Sequence, residues 1–133
     1  MSSIVKFSEA ASIAIHGVIL IAKSEKFLNV TKIAKIIGGS RHHVAKIMQR
    51  LAKDGFIKSM RGPTGGFVLI NKPEEISFLD LYQSVEGKIT AEQCPFNRQD
   101  ICSFEKCILN NITLKMTEDF IQYMKNQFVS DYI

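Results

Sequence analysis

The stretch LNVTKIAKIIGGSRHHVAKIMQRLAKDGFIKSMRGPTGGFVLI, Leu28 to Ile70, decides the fold. Asn29 is a helix cap, because its side-chain oxygen can accept an orphan backbone N–H. Ile33, Ala34 and Ile37 then recur on one face of a first helix. Gly38-Gly39 breaks that helix and Ser40 caps a second one. In the second helix Val44, Ile47, Met48 and Leu51 form an apolar stripe, with Arg41, His42, Lys46, Arg50 and Lys53 mostly elsewhere. Gly55 ends it. Residues 56–60 and 67–70 then read as a hairpin around Arg61-Gly62-Pro63-Thr64-Gly65-Gly66. The expected fold class is mainly α with a small β-wing: a winged helix-turn-helix domain plus a long C-terminal dimerisation helix.

A helix-turn-helix also occurs in proteins that never touch nucleic acid, so the charge distribution matters. Residues 1–61 hold 11 Lys and Arg against 3 Asp and Glu, whereas residues 62–133 hold 6 against 10. A cationic half joined to an anionic half suits a nucleic-acid binder with a separate sensing or pairing half. By helix geometry Ser40, Arg41, His42, His43 and Lys46 face a major groove or its phosphates. His42 and His43 point about 100° apart, so they cannot read bases equally. In the wing, Arg61 is placed to enter a narrow minor groove, with Gly62, Pro63 and Thr64 alongside.

The 133 residues allow one domain with an extension, and 46% hydrophobic content is enough for a core. The opening Met1-Ser2-Ser3-Ile4-Val5-Lys6 has no basic leader followed by an apolar run. The longest apolar stretch, Ala10 to Ala22, contains Ser12, His16 and Gly17 and is too short for a bilayer span. A soluble, cytoplasmic protein with no membrane partner is expected. No base accompanies a cysteine nucleophile, and the wing glycines are turn formers rather than a phosphate loop, so an enzyme is not expected.

Ser8 caps a helix from Glu9 to about Lys23, apolar nearly all round and therefore buried on most sides. His16 within it reads as a satisfied core or interface histidine. After the wing, Ile76, Leu79, Tyr82 (or Leu81) and Val85 mark a short amphipathic helix closed by Gly87. The pattern then fails until about Asp100. From Ile101 to Ile133, Phe104, Ile108, Ile112, Met116, Phe120, Tyr123, Met124 and Phe128 recur at three- and four-residue steps. Thirty or so helical residues extend about 45 Å, further than one small domain covers, so a homodimer built on this helix is expected. The organisation is a DNA-binding domain at 1–87, a cysteine loop at 88–107 and a dimerisation helix at 101–133.

All three cysteines, Cys94, Cys102 and Cys107, occur as C-x7-C-x4-C in the loop and at the start of the last segment. Structural zinc sites favour C-x2-4-C pairs, which are missing here. Three clustered thiols point first to an iron–sulfur cluster with a further ligand from elsewhere. Thiol redox switching and zinc stay open.

Over nearly its whole length the chain resembles the IscR/NsrR/RirA-type transcription regulators, the Rrf-two family. The residues that carry the resemblance are Lys6-Phe7-Ser8-Glu9-Ala10, the segments from Ile33-Ala34 to Gly55 and from Ser59 to Leu69, Leu79-Asp80-Leu81 to Val85-Glu86-Gly87, and the three-cysteine loop. The resemblance implies a dimeric repressor on double-stranded DNA, controlled by a cluster that senses nitric oxide, redox or iron status. A four-iron cluster is favoured over a two-iron one, although the cysteine spacing departs from the more even spacing of the best-known members. Relatives with a histidine ligand place it just after the third cysteine, where this chain has Ile108, Leu109, Asn110 and Asn111. Nitric-oxide-sensing relatives use a carboxylate near the start of the first helix, from the other subunit. Glu9 holds that position, with Glu where those relatives have Asp. It is the implied fourth ligand.

Overall fold

The structure is a computed structural model that describes residues 2–3, 5–90 and 101–133. Cys94 lies outside the described residues. Five α-helices and one hairpin follow in chain order: α1 Glu9–Lys23, α2 Val30–Ile37, α3 Arg41–Lys53, β1 Ile57–Met60, β2 Gly66–Leu69, α4 Phe78–Glu86 and α5 Ile112–Lys125.

Helix α1 is the centre of the core. The Ala11 N–H donates to Ser8 Oγ (3.0 Å), and Ala11, Ile13, Ala14, Ile15, Val18 and Ile21 are buried. Helices α2, α3 and α4, strand β2 and the C-terminal turn all pack against it. Of the two places expected for His16, the core is excluded: it is exposed on the single chain, with Nδ1 2.7 Å from the Ser12 carbonyl oxygen of the preceding turn. The neighbours of α1 cover most of its circumference, and His16 falls on the seam they leave.

The caps form as the sequence indicates. Lys32 N–H donates to Asn29 Oδ1 (2.9 Å) and His43 N–H to Ser40 Oγ (3.4 Å). Gly38 closes α2 at φ 80°, a left-handed conformation that glycine adopts without penalty. Ile33 and Ala34 of α2 and Val44, Ile47, Met48 and Leu51 of α3 enter the common core.

Strands β1 and β2 pair antiparallel, Ile57 opposite Leu69 and Met60 opposite Gly66, with Ile57 buried. The wing is fastened to the α1–α2 connector by a further bridge, in which Phe67 N–H donates to the Leu28 carbonyl (2.8 Å). That approach requires glycine at position 66. A Cβ there would stand 2.6 Å from the carbonyl carbon and oxygen of Leu28.

Helix α4 starts with a reciprocal cap: Asp80 N–H donates to Ser77 Oγ, and Ser77 N–H to Asp80 Oδ2. Its fully buried face is Phe78, Leu81 and Ser84; Leu79, Tyr82 and Val85 are half-buried. Three helices, α1, α3 and α5, pack against it, so its apolar face is wider than one stripe. Tyr82 meets Phe120 of α5 and Phe7 at centroid distances of 5.1 and 5.8 Å.

The continuous helix expected over residues 101–133 is not present. Residues 101–111 are turns and bends, and α5 has 14 residues, about 21 Å. Asn110 and Asn111 at φ 50° and 55° set its beginning. After Asn126 the chain folds back: Phe78 N–H donates to the Gln127 carbonyl and Val129 N–H to that of Ile76. Val129 is fully buried beneath a closing 3-10 turn, Val129–Tyr132. Phe120 and Met124 therefore face this chain's own domain, while Ile112 and Tyr123 remain exposed.

The Gly66→Ala substitution forces the wing away from Leu28. A loss of about 1–3 kcal/mol is expected in urea unfolding. An unchanged midpoint would contradict the described approach.

Candidate nucleic-acid interface and cysteine segment

Burial of Val44, Ile47, Met48 and Leu51 fixes the rotation of α3. At about 100° per residue, His42, Lys46, Gln49 and Lys53 fall within about 30° of the direction opposite that core face. All four are exposed. Ser40 and Arg41 are exposed at the helix start, Arg41 well round to one side.

His43 and Arg50 project to the other flank and are engaged inside the subunit. His43 Nδ1 lies 3.4 Å from Glu9 Oε1, with 33% and 67% of the two side chains exposed. Arg50 Nε donates to the Ser84 carbonyl (2.9 Å) and stands 3.4 Å from Asp54 Oδ2. Ser84 Oγ donates to the same Asp54 oxygen at 2.5 Å. Arg50 therefore ties α3 to α4 instead of joining the cationic front. Only the tertiary position of Ser84, 34 residues away, reveals this role.

Arg61, Gly62, Pro63 and Thr64 are exposed at the tip of the hairpin. Gly62 adopts φ 121° and its carbonyl accepts from Gly65 N–H (3.0 Å). Between this tip and the start of α2 is a cleft of about 570 Å³ bordered by Lys26, Asn29, Lys32, Pro63 and Thr64. Lys26 and Lys32 thus bring two cations to the wing side of the helix, with Glu25 lining the same cleft. Sequence reading missed them because they precede the reading helix and join the wing only in three dimensions.

In the segment 101–111, Cys102 is exposed, Cys107 is half-buried, and both are free thiols. Asn110 N–H closes a turn on the Cys107 carbonyl (3.0 Å). Glu9 stands at the first turn of α1, and the adjacent Ser8 Oγ donates to Glu86 (2.6 Å). Among the described residues no three His, Cys, Asp or Glu side chains converge on a metal position, so Glu9, Cys102 and Cys107 of one chain do not form a site by themselves. The donor types still suit an iron–sulfur cluster: one exposed and one half-buried thiol on an irregular segment and a largely exposed carboxylate. No helix of the described residues is long and apolar enough to cross a membrane.

A basic helix presented beside a glycine wing defines the class: a winged helix-turn-helix regulator. Residues 7–133 match the Rrf2 family, described as iron-dependent transcriptional regulators. The chain belongs to the Rrf2 family, whose members regulate transcription and are not enzymes. The NsrR regulator of Shouchella clausii is 27% identical over 110 residues, covering 81% of this chain and 73% of that protein. Two solved structures share the fold. CymR, described as the global cysteine regulator of B. subtilis, superposes with TM-score 0.79 at 22% identity, covering 96% of this chain and 95% of that one. IscR of T. potens gives 0.75 at 20% identity, with 96% and 85% covered.

Replacing Asp54 with Ala leaves the Ser84 hydroxyl and Arg50 without their carboxylate. A stability loss of about 1–2 kcal/mol in urea unfolding is expected; stability equal to the parent would contradict the described tie between α3 and α4.

Proposed function

We propose that this chain is a homodimeric, cytoplasmic transcriptional repressor whose operator affinity is controlled by an iron–sulfur cluster. The observation that carries the DNA half of this reading is the exposed front of α3, with His42 and Lys46 opposite a fully buried back. Ser40 and Arg41 lie at the mouth of a major groove or on its phosphates. Arg61 enters the adjoining minor groove, with Gly62, Pro63 and Thr64 giving the wing tip its close approach. His43 reaches the same edge from the flank and holds Glu9. The exposed apolar residues Ile112 and Tyr123 on α5, with Phe104 and Ile108 before it, support a second copy covering that surface.

Cys94, Cys102 and Cys107 of one subunit, with the partner subunit's Glu9, would hold the cluster, a four-iron form in preference to a two-iron one. When bound, the cluster supplies a centre that reacts with nitric oxide or oxygen and depends on iron supply. The chain's own part is mechanical. A carboxylate at the start of α1 is 3.4 Å from the first turn of α3, so whatever holds Glu9 bears on the reading helix. A coupling of about 1–3 kcal/mol changes operator affinity about 5–150-fold, enough to switch a promoter. The family description and the NsrR relative support this reading.

The exposed, free Cys102 favours a second reading, in which the thiols themselves are oxidised without a metal. Iron and acid-labile sulfide analysis of protein isolated without air separates the two. A brown protein containing both, lost in Cys107→Ser, is expected; a colourless, iron-free preparation would favour the thiol switch. For the DNA contacts, Lys46→Ala and Arg61→Ala should each weaken operator binding and lower the slope of log affinity against log salt by about 1. Unaltered slopes would remove these residues from the interface.

A further inference from the structure

The structure leaves one unexplained polar side chain on the reading face. Gln49 is exposed, lies in the arc of His42, Lys46 and Lys53, and makes no side-chain hydrogen bond among the described residues. Its flanking polar neighbours on α3 are accounted for. His43 is occupied by Glu9, and Arg50 by Ser84 and Asp54. Gln49 brings no charge to a phosphate and could use only its N–H donors there, leaving the amide oxygen unused. Its amide carries a donor and an acceptor side by side, the pair that matches N6 and N7 of adenine in a major groove.

We propose that Gln49 is a base-reading residue that selects adenine in each half-site, an inference that rests on α3 being the major-groove helix. Gln49 is seven residues from His42, about 10.5 Å along the helix, which corresponds to about three base-pair steps. The adenine position therefore lies about three base pairs from the one nearest His42, on the side nearer Lys53. Lys53, one turn further, is left for the backbone at the groove rim.

Selection from randomised duplexes with the full-length protein, isolated without air, tests this directly. The parent should enrich a two-fold motif containing the adenine column. Gln49→Ala should lose that column alone, costing about 5–150-fold in discrimination there while the other columns persist. Gln49→Glu, an acceptor only, should turn the same column towards cytosine. A parent motif with both variants giving the identical motif would overturn the role of Gln49 and leave DNA binding intact. A uniform affinity loss with no column changed would equally overturn it, making Gln49 a backbone contact. A parent that enriches no motif would overturn the major-groove reading itself, and this inference with it.

Discussion

The structure depends on the seating of the back of α3 against α1. Val44, Met48 and Leu51 are fully buried, and Met48 seats over Gly17 of α1, where a Cβ would stand 2.7 Å from its Cε. Each large aliphatic side chain removed from water contributes about 1.5–3 kcal/mol, so rotating α3 about its axis is prohibitively costly. A helix whose back is fixed in this way has a fixed front. That is why His42, Lys46, Gln49 and Lys53 form one surface, and why Arg50, basic though it is, belongs to the join with α4. The wing inherits its position from the same core, through buried Ile57 and the bridge from Phe67 to Leu28.

The start of α1 joins the region proposed for sensing to the helix proposed for reading. Ser8 caps the helix and donates to Glu86 at the end of α4, while Glu9 lies beside His43 at the start of α3. Three helix ends therefore converge on two consecutive residues. Both side chains of the Glu9–His43 pair are partly solvated, so the contact is weak by itself. Its importance is directional: it connects the carboxylate proposed for the cluster to the helix proposed for DNA.

Much of this was legible in the sequence, because the signals were local. Ser8, Asn29 and Ser40 cap the helices they precede, Gly38 makes the turn, and the hairpin forms within a residue of its expected limits. The failures have a common origin in tertiary contacts and in local breaks that periodicity overlooks. Apolar residues recur at helical steps from Phe104 to Phe128, yet Asn110 and Asn111 take left-handed conformations and Asn126 ends α5. Gln127 and Val129 then find partners in Phe78 and Ile76, 49 and 53 residues earlier, as no pattern within the segment could reveal. The apolar steps of α4 did not indicate its capping box, which Ser77 and Asp80 form at its start. The engagement of His43 and Arg50 was not readable either, since their partners lie on other helices. At the cysteine segment the sequence supplies three thiols and the described structure two, so the complete ligand set is argued from chemistry and the family likeness.

The most direct test of the account is operator affinity followed on one anaerobic sample as nitric oxide is added, with visible absorption recorded alongside. Affinity should fall in step with the loss of cluster absorption, within the range of about 5–150-fold set by allosteric coupling. Affinity that stays constant while the absorption disappears would contradict it.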